Sequence, residues 1–434
     1  MTRAPAVTAQ RRTGMRWLIA ALVGGFAFVS YVQRMNISVA AELMMPELSL
    51  SKTQMGQIFS SFLLGYAIFQ VPAGKLGDLV GPRLTLTVAA LLWGATTVLT
   101  GLVPGFAHGT LAVFVSLLVL RFLLGAAEGA TFPVGTRAIR NWTPPQERAL
   151  GNAFMMVGSS SAAAVSGPLV SSIMLKLGWR AAFYVTSLLA FGIAAVWYWV
   201  SADDPRKHKW VNQSELQLIA SDRAKERPGP VTRPVPLRKL LSDRNILILS
   251  LSYTCEGYVL FIFVFWLYIY LVEVRGFSML NGGIVASLPW LTALVCTPLG
   301  GFVCDRITGS RGRIAGARSV IMLGYGLSGV LLFAAAKFDN RVAAVAALCV
   351  SVGALYFAEP AFWATAVHLA GENAGAASGI MNTAGILGGI VSTSLTPVIV
   401  KHFGWLPALG SGAAVAMACT CIWFVIGKKA AISG

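Results

Sequence analysis

Arg121-Phe-Leu-Leu-Gly-Ala-Ala-Glu128-Gly-Ala-Thr-Phe-Pro133 is the stretch on which the reading of the chain turns. It sets an arginine and a glutamate inside an otherwise apolar run that begins near Thr110. On a helix, their separation is about two turns and roughly 10 Å, with both side chains within about 20° of one face. A charge inside a bilayer span costs several kcal/mol unless it is paired or faces water. Two such charges on one face point to an aqueous pathway through a membrane protein.

Composition agrees. Of 434 residues, 56% are hydrophobic and 12% charged, against about 25% charged in soluble domains. The apolar runs approach or exceed 20 residues, which suits spanning helices rather than the alternating strands of a barrel. Twelve runs are predicted to be helices, approximately 17–40, 55–74, 84–102, 110–139, 148–175, 181–200, 245–272, 280–304, 315–336, 342–369, 374–400 and 405–426. The first is too long for a signal-peptide core and ends in polar Gln33-Arg34-Met35-Asn36, so it reads as a retained helix. The expected fold is all-α: two six-helix bundles, 1–200 and 245–434, joined by a hydrophilic linker at 201–244 with a short polar helix near 214–225.

The net charge of +17 could suggest nucleic acid, but the basic residues sit in short clusters between the apolar runs. With the N-terminus inside, cytoplasmic segments hold 25 of the 34 Lys and Arg, outside segments seven, and Arg34 and Arg121 fall within helices. This asymmetry predicts both termini in the cytoplasm and a multi-pass protein of the inner membrane. The two halves also repeat. Gly74…Asp78 answers Gly301…Asp305, Glu147-Arg-Ala149 answers Glu372-Asn-Ala374, and Gly178-Trp179 answers Gly404-Trp405, at offsets of 227, 225 and 226. A duplicated six-helix unit with parallel repeats is expected. Trp142 and Trp179, near helix ends, read as membrane-interface anchors.

Gly74-Lys-Leu-Gly-Asp78-Leu-Val-Gly81-Pro-Arg83, between the second and third helices, resembles the signature loop of the major facilitator superfamily. Read physically, Gly77 and Gly81 permit a tight turn, and Asp78 can accept from Arg83 or from a helix N-terminus. Gly74, Asp78, Gly81, Arg83 and the repeat residue Asp305 are therefore candidates for a cytoplasmic gate. Within the superfamily, the chain is similar along nearly its whole length to the anion:cation symporter family. That family includes bacterial hexuronate, glucarate and galactonate transporters and vertebrate vesicular and phosphate transporters. The resemblance is carried by Tyr31-Val-Gln-Arg34-Met-Asn36, Arg121 to Pro133, Trp142 to Arg148, Gly178-Trp179-Arg180, the linker opening at Pro205…His208, and Tyr270 to Gly276. The short loop after helix 1, without an outside glycosylation sequon, suits the bacterial type.

The resemblance implies that Arg34 binds a substrate carboxylate, as a guanidinium fork does, with Tyr31 and Tyr66 lining the same cavity. It implies that Glu128 carries a proton and that Arg121 is its electrostatic partner. Where the family tends to place an aspartate before the helix-1 arginine, this chain has Gln33. Glu256 and Glu359, deep in helices 7 and 10, could take over a proton role or bind a hydroxylated or cationic part of the substrate. Asn382 and Trp266 are further candidates for substrate contact. For each charge the alternative is a helix–helix ion pair or hydrogen bond without a transport role, and for the aromatic residues it is simple packing.

Together these features predict secondary active transport of a small organic anion, a sugar acid or other carboxylate, with protons, by alternating access. An anion exchanger or facilitator without proton coupling is the alternative that Gln33 motivates, and a carboxylate-sensing receptor is a remote one. No enzyme motif, nucleotide loop or metal-ligand spacing is present among the four histidines and six cysteines. No cofactor or metal is expected, and the expected partners are the anion, protons and the lipid bilayer, with a monomer as the working unit.

Overall fold

The computed structural model describes residues 12–223, 240–370 and 374–426. Arg3, Arg11, the linker prolines Pro228, Pro230, Pro234 and Pro236, Glu372, and Lys428 and Lys429 lie outside the described residues. Within those residues the chain is helical, with no strand. Helices α1 (Met15–Glu47), α2 (Lys52–Val80), α3 (Pro82–Phe106), α4 (Thr110–Glu128), α5 (Thr131–Trp142), α6 (Arg148–Leu177) and α7 (Trp179–Val200) precede a short α8 (Gln213–Arg223). Helices α9 (Arg244–Glu273), α10 (Met279–Arg311), α11 (Arg313–Lys337), α12 (Arg341–Ala370), α13 (Ala374–Phe403) and α14 (Trp405–Ile422) follow.

Short connections make successive long helices antiparallel. Eleven helical stretches among the described residues are long and apolar enough to cross a membrane, α4 and α5 counting as one. The 29-residue α2, which carries Gln54, Gln57, Gln70, Lys75 and Asp78, makes the twelfth crossing. Large apolar side chains such as Val71, Leu188, Val295 and Leu323 are 60% or more exposed. On a water-soluble protein such a surface would drive association; against acyl chains it is the matching solvent.

Two expectations for local structure are corrected. The run 110–139 is not one helix. α4 stops at Glu128, Gly129 and Ala130 form a turn, and α5 restarts at Thr131. Pro133 has no N–H to give to the Gly129 carbonyl, so the ladder loses a bond at this point. Conversely, most of 74–83 is helix rather than connection. α2 runs through Gly74, Gly77 and Asp78 to Val80, and Gly81 alone, at φ 97°, makes the connection to α3. Pro82, whose missing N–H is harmless at a helix start, opens α3. A side chain at position 81 would be strained and would strike the Asp203 carboxylate.

The gate candidates are accordingly placed otherwise than their spacing suggests. Asp78 pairs with Arg137 of α5, not with Arg83. The Arg83 guanidinium donates to the Tyr198 carbonyl at 2.6 and 2.9 Å, and its backbone N–H donates to Asp203 at 2.8 Å. Asp305 is exposed and makes no ion pair among the described residues. Trp142 and Trp179 are not interface anchors. They are 1% and 2% exposed and donate to the Ala202 carbonyl (2.8 Å) and to Glu47 (2.6 Å). Each indole is buried against protein and gives its N–H to a protein acceptor, the exposed Glu47 in the case of Trp179.

The end of the bundle that holds the α1 N-terminus also holds α8. Glu215 of α8 is fully buried there. It accepts from the backbone N–H of Met15 (3.2 Å) and Arg16 (3.1 Å), from the Arg16 guanidinium (3.1 Å) and from the Thr13 hydroxyl. A carboxylate suits a helix N-terminus, where unpaired N–H groups and the dipole both favour negative charge. Arg16 also reaches Glu147, just before α6, at 2.6 Å. Burial pushes the Glu215 carboxyl up, but these hydrogen bonds outweigh it and hold the group below the usual carboxylate range.

A lowered folded-state value means stability that is present above the unfolded value, about pH 4.3, and lost as pH falls through the folded one. Glu215→Gln should therefore melt lower than the parent at pH 7, by an amount corresponding to about 1 kcal/mol for a lost cap. The gap should close as pH drops below about 4. An equal gap at pH 7 and at pH 3.5 would show that the carboxylate charge contributes nothing.

At the opposite end, hereafter the far end, the α1–α7 and α9–α14 groups meet. Ser60 of α2 bonds Thr393 (2.7 Å) and Ser394 (2.6 Å) of α13, and Lys52 pairs with Glu273 of α9 at 2.6 Å. Phe59 stacks on Phe265 (4.7 Å between ring centres) and meets Trp266 edge-on (5.4 Å).

Candidate functional site

Gly65 of α2 and Gly125 of α4 bring those helices together. A β-carbon on either would strike the other helix's backbone, at Phe122 and Phe62 respectively. Small residues at such a crossing allow an approach that larger ones forbid. The approach sets Phe62 and Tyr66 against the α4 face that carries Arg121 and Glu128. Arg34, Tyr66 and Glu128 lie 13 to 18 residues from the far ends of their helices, roughly 20 to 27 Å along them, and so near mid-membrane.

Arg121, fully buried, donates to the backbone carbonyls of Arg34 (3.2 Å) and Gln33 (3.4 Å) and lies 5.3 Å from the Phe62 ring centre. It ties α4 to α1 at the level of Arg34. The ion-pair partner of Glu128 is not Arg121 but Arg34: Nη2 meets Oε2 at 3.3 Å, with Glu128 fully buried and Arg34 6% exposed. The Arg34 guanidinium is walled by the rings of Tyr31 (4.4 Å), Tyr66 (4.9 Å) and Phe62 (5.0 Å), contacts that favour a cation. The pair is one-pronged, although a guanidinium and a carboxylate can join by two bonds. Arg34 Nε and Glu128 Oε1 have no hydrogen-bond partner among the described residues. Gln33 is directed elsewhere. It donates to the Thr186 carbonyl (3.0 Å) and accepts from the Thr97 hydroxyl (3.0 Å), facing α7 and α3.

The second group of helices contributes a pair of acids. Glu359 Oε1 accepts from the Tyr253 hydroxyl and from the Trp363 indole N–H, both at 2.7 Å. Glu256, three residues after Tyr253 on α9, is 6% exposed. Both acids lie within electrostatic reach of Tyr31, so the acid pair and the Arg34 group face one central region. Asn382 lies nearer the α8 end and donates to Gln70 of α2 at 3.2 Å, joining the two groups of helices. Trp266 is buried in the far-end cluster between Phe59 and Trp405.

Sequence reasoning missed Phe62, Tyr253 and Trp363. Trp363 was accessible by helical spacing, four residues after Glu359; Tyr253 and Phe62 are set by contacts between helices.

Long apolar helices around a buried, incompletely bonded charge pair, with two further acids on the opposing helices, have the makings of a solute transporter. The Major Facilitator Superfamily model matches residues 23–393, and the chain belongs to that superfamily. Within it the chain is a member of the anion:cation symporter family, as its curated relatives show. A probable sulfoacetate transporter of Cupriavidus necator is 33% identical, covering 96% of this chain and 95% of that one. A hexuronate transporter of Bacillus subtilis is 30% identical, covering 93% of each. Among solved structures, a bacterial homologue of the lysosomal transporter Spinster superposes with TM-score 0.76 at 16% identity, over 94% of this chain and 96% of that one. A D-xylose–proton symporter gives TM-score 0.74 at 16% identity, with the same coverage. The chain is a multi-pass membrane transporter and not an enzyme.

Proposed function

We propose that the protein carries a small organic anion, a sugar acid or other small acid, across the inner membrane together with protons. The observation that carries this reading is the buried, one-pronged Arg34–Glu128 pair with bonding capacity left on both sides. An incoming acid group and Glu128 compete for the same guanidinium. Protonating Glu128 removes the competitor and frees the Arg34 fork for the substrate. Losing the proton restores Glu128, which takes Arg34 back and expels the acid. Proton and anion are thereby bound and released together. The relatives named for sulfoacetate and hexuronate carry acids of this kind.

The charge asymmetry between connections orients the α8 end and both termini to the cytoplasm. The far end is then the outside, and the contacts there describe a carrier closed to the outside. The two six-helix units, 1–200 and 245–434, rock about the central region, which is how duplicated carriers of this design alternate access. Among the described residues, Asn382–Gln70 is the polar contact between the halves nearest the cytoplasmic gate region of Gly74 to Arg83. Arg121 fixes the height of Arg34, and Tyr31 and Tyr66 orient its fork.

The test is uptake by proteoliposomes of the whole chain, offered labelled sugar acids, simple carboxylates and sulfonates under an inward proton gradient. Accumulation above equilibrium that a protonophore collapses is the expected result. Counterflow of the same acids with no response to the gradient would replace symport by exchange.

A further inference from the structure

Opposite the Arg34 group stands a site for which anion recognition has no use. Glu256 and Glu359 lie within electrostatic reach of one another. Among the described residues every Lys, Arg and His of α9–α14 stands near a helix end, and no ion pair reaches either acid. Glu359 has its two hydrogen-bond donors on one oxygen. No hydrogen bond reaches Glu256 among the described residues, although its side chain is nine-tenths buried. Tyr325, fully buried, turns an unpartnered hydroxyl to the same place, with Glu256 and Glu359 in electrostatic reach. Aromatic rings wall the site: Tyr253 meets Phe362 at 5.2 Å and Trp363 at 6.1 Å, both edge-on. Carboxylates among aromatic faces form an environment that stabilises an ammonium ion by charge-assisted hydrogen bonds and cation–π contact.

The central region is therefore polarised, with two arginines and one glutamate on one side and two glutamates on the other. A dicarboxylate held at Arg34 would direct its second charge at the acid pair. A molecule with an ammonium group at that end meets complementary charge at both poles.

We propose that the substrate is an organic acid with a cationic far end, an ammonium or methylated ammonium, its acid on Arg34 and its cation between Glu359 and Glu256. This rests on the reading of Arg34 as the acid site, and it narrows the sugar-acid and simple-carboxylate range to zwitterions.

Binding of matched probes to the purified whole chain tests it. Taurine, isethionate and sulfoacetate share a two-carbon sulfonate and differ at the far end in ammonium, hydroxyl and carboxylate. β-Alanine, 3-hydroxypropanoate and malonate form the corresponding carboxylate set. The ammonium member of each set should bind about tenfold or more tightly than the other two, the range of one charge-assisted hydrogen bond. In Glu359→Gln that ratio should fall towards one. Should that variant fail to fold, Glu256→Gln breaks no hydrogen bond and reads the same ratio. Equal or tighter binding of the hydroxyl or diacid member overturns the proposal and leaves anion binding at Arg34 standing. So does an ammonium preference that survives both substitutions. If no member of either set binds, this inference falls, and binding of sugar acids to the same preparation decides separately whether Arg34 is the acid site.

Discussion

In proteoliposomes, Glu128→Gln is expected to reduce gradient-driven accumulation to simple equilibration while substrate binding persists. If one proton moves with each substrate, the parent can concentrate it about tenfold per unit of pH gradient; the variant should not exceed an inside-to-outside ratio of about one. Glutamine keeps the shape and hydrogen-bonding capacity of a protonated glutamate but never becomes a charged competitor for Arg34. The Arg34 fork then stays open to the substrate. Affinity should hold or rise, exchange of labelled for unlabelled substrate should continue, and net release should slow. A Glu128→Gln carrier that still accumulates substrate to the parental level would remove Glu128 from the coupling.

Arg34→Lys should weaken binding of every substrate by about tenfold to a hundredfold, the cost of one to two charge-assisted hydrogen bonds. Lysine retains the charge next to Glu128, which avoids the roughly 3–5 kcal/mol penalty of leaving a buried carboxylate alone. It lacks the planar two-pronged donor and the flat face that Tyr31, Tyr66 and Phe62 enclose. Dissociation constants measured on folded protein, with the melting temperature as a check, distinguish recognition from packing. Parental affinity in a folded Arg34→Lys protein would reduce Arg34 to a helix–helix tie.

Much of this arrangement was legible in the sequence, and the parts that were not share a cause. Arg121 and Glu128 sit on one helix, so their common face follows from helical rise alone. The partner of Glu128 does not, because Arg34 is 94 residues away. Along the sequence Arg121 is the near cation, and only the α1–α4 crossing shows that it is spent on carbonyls. The glycines at 77 and 81 look alike in a sequence. Gly77 packs against Val134 of α5 inside a helix, while Gly81 takes a positive φ beside Asp203. Pro133 leaves the Gly129 carbonyl unserved at the break after Glu128, but among the described residues eight other prolines lie inside unbroken helices, so proline alone does not place the break. Tryptophans near helix ends point to an interface by composition, but the packing that buries Trp142 and Trp179 comes from residues far off in sequence.

The far-end closure has a consequence for hydration. Aromatic rings fill part of the closure, but the contacts around them are the buried hydroxyls of Ser60 and Thr393, the half-buried hydroxyl of Ser394 and the half-buried Lys52–Glu273 pair. When these contacts part, every group released can bond to water, and an exposed ion pair is worth only about 0–1 kcal/mol to begin with. A greasy rim would have to be wetted at a cost proportional to its area. A wettable one lets the closed and open forms differ by little in free energy, so that occupancy of the centre can tip the balance.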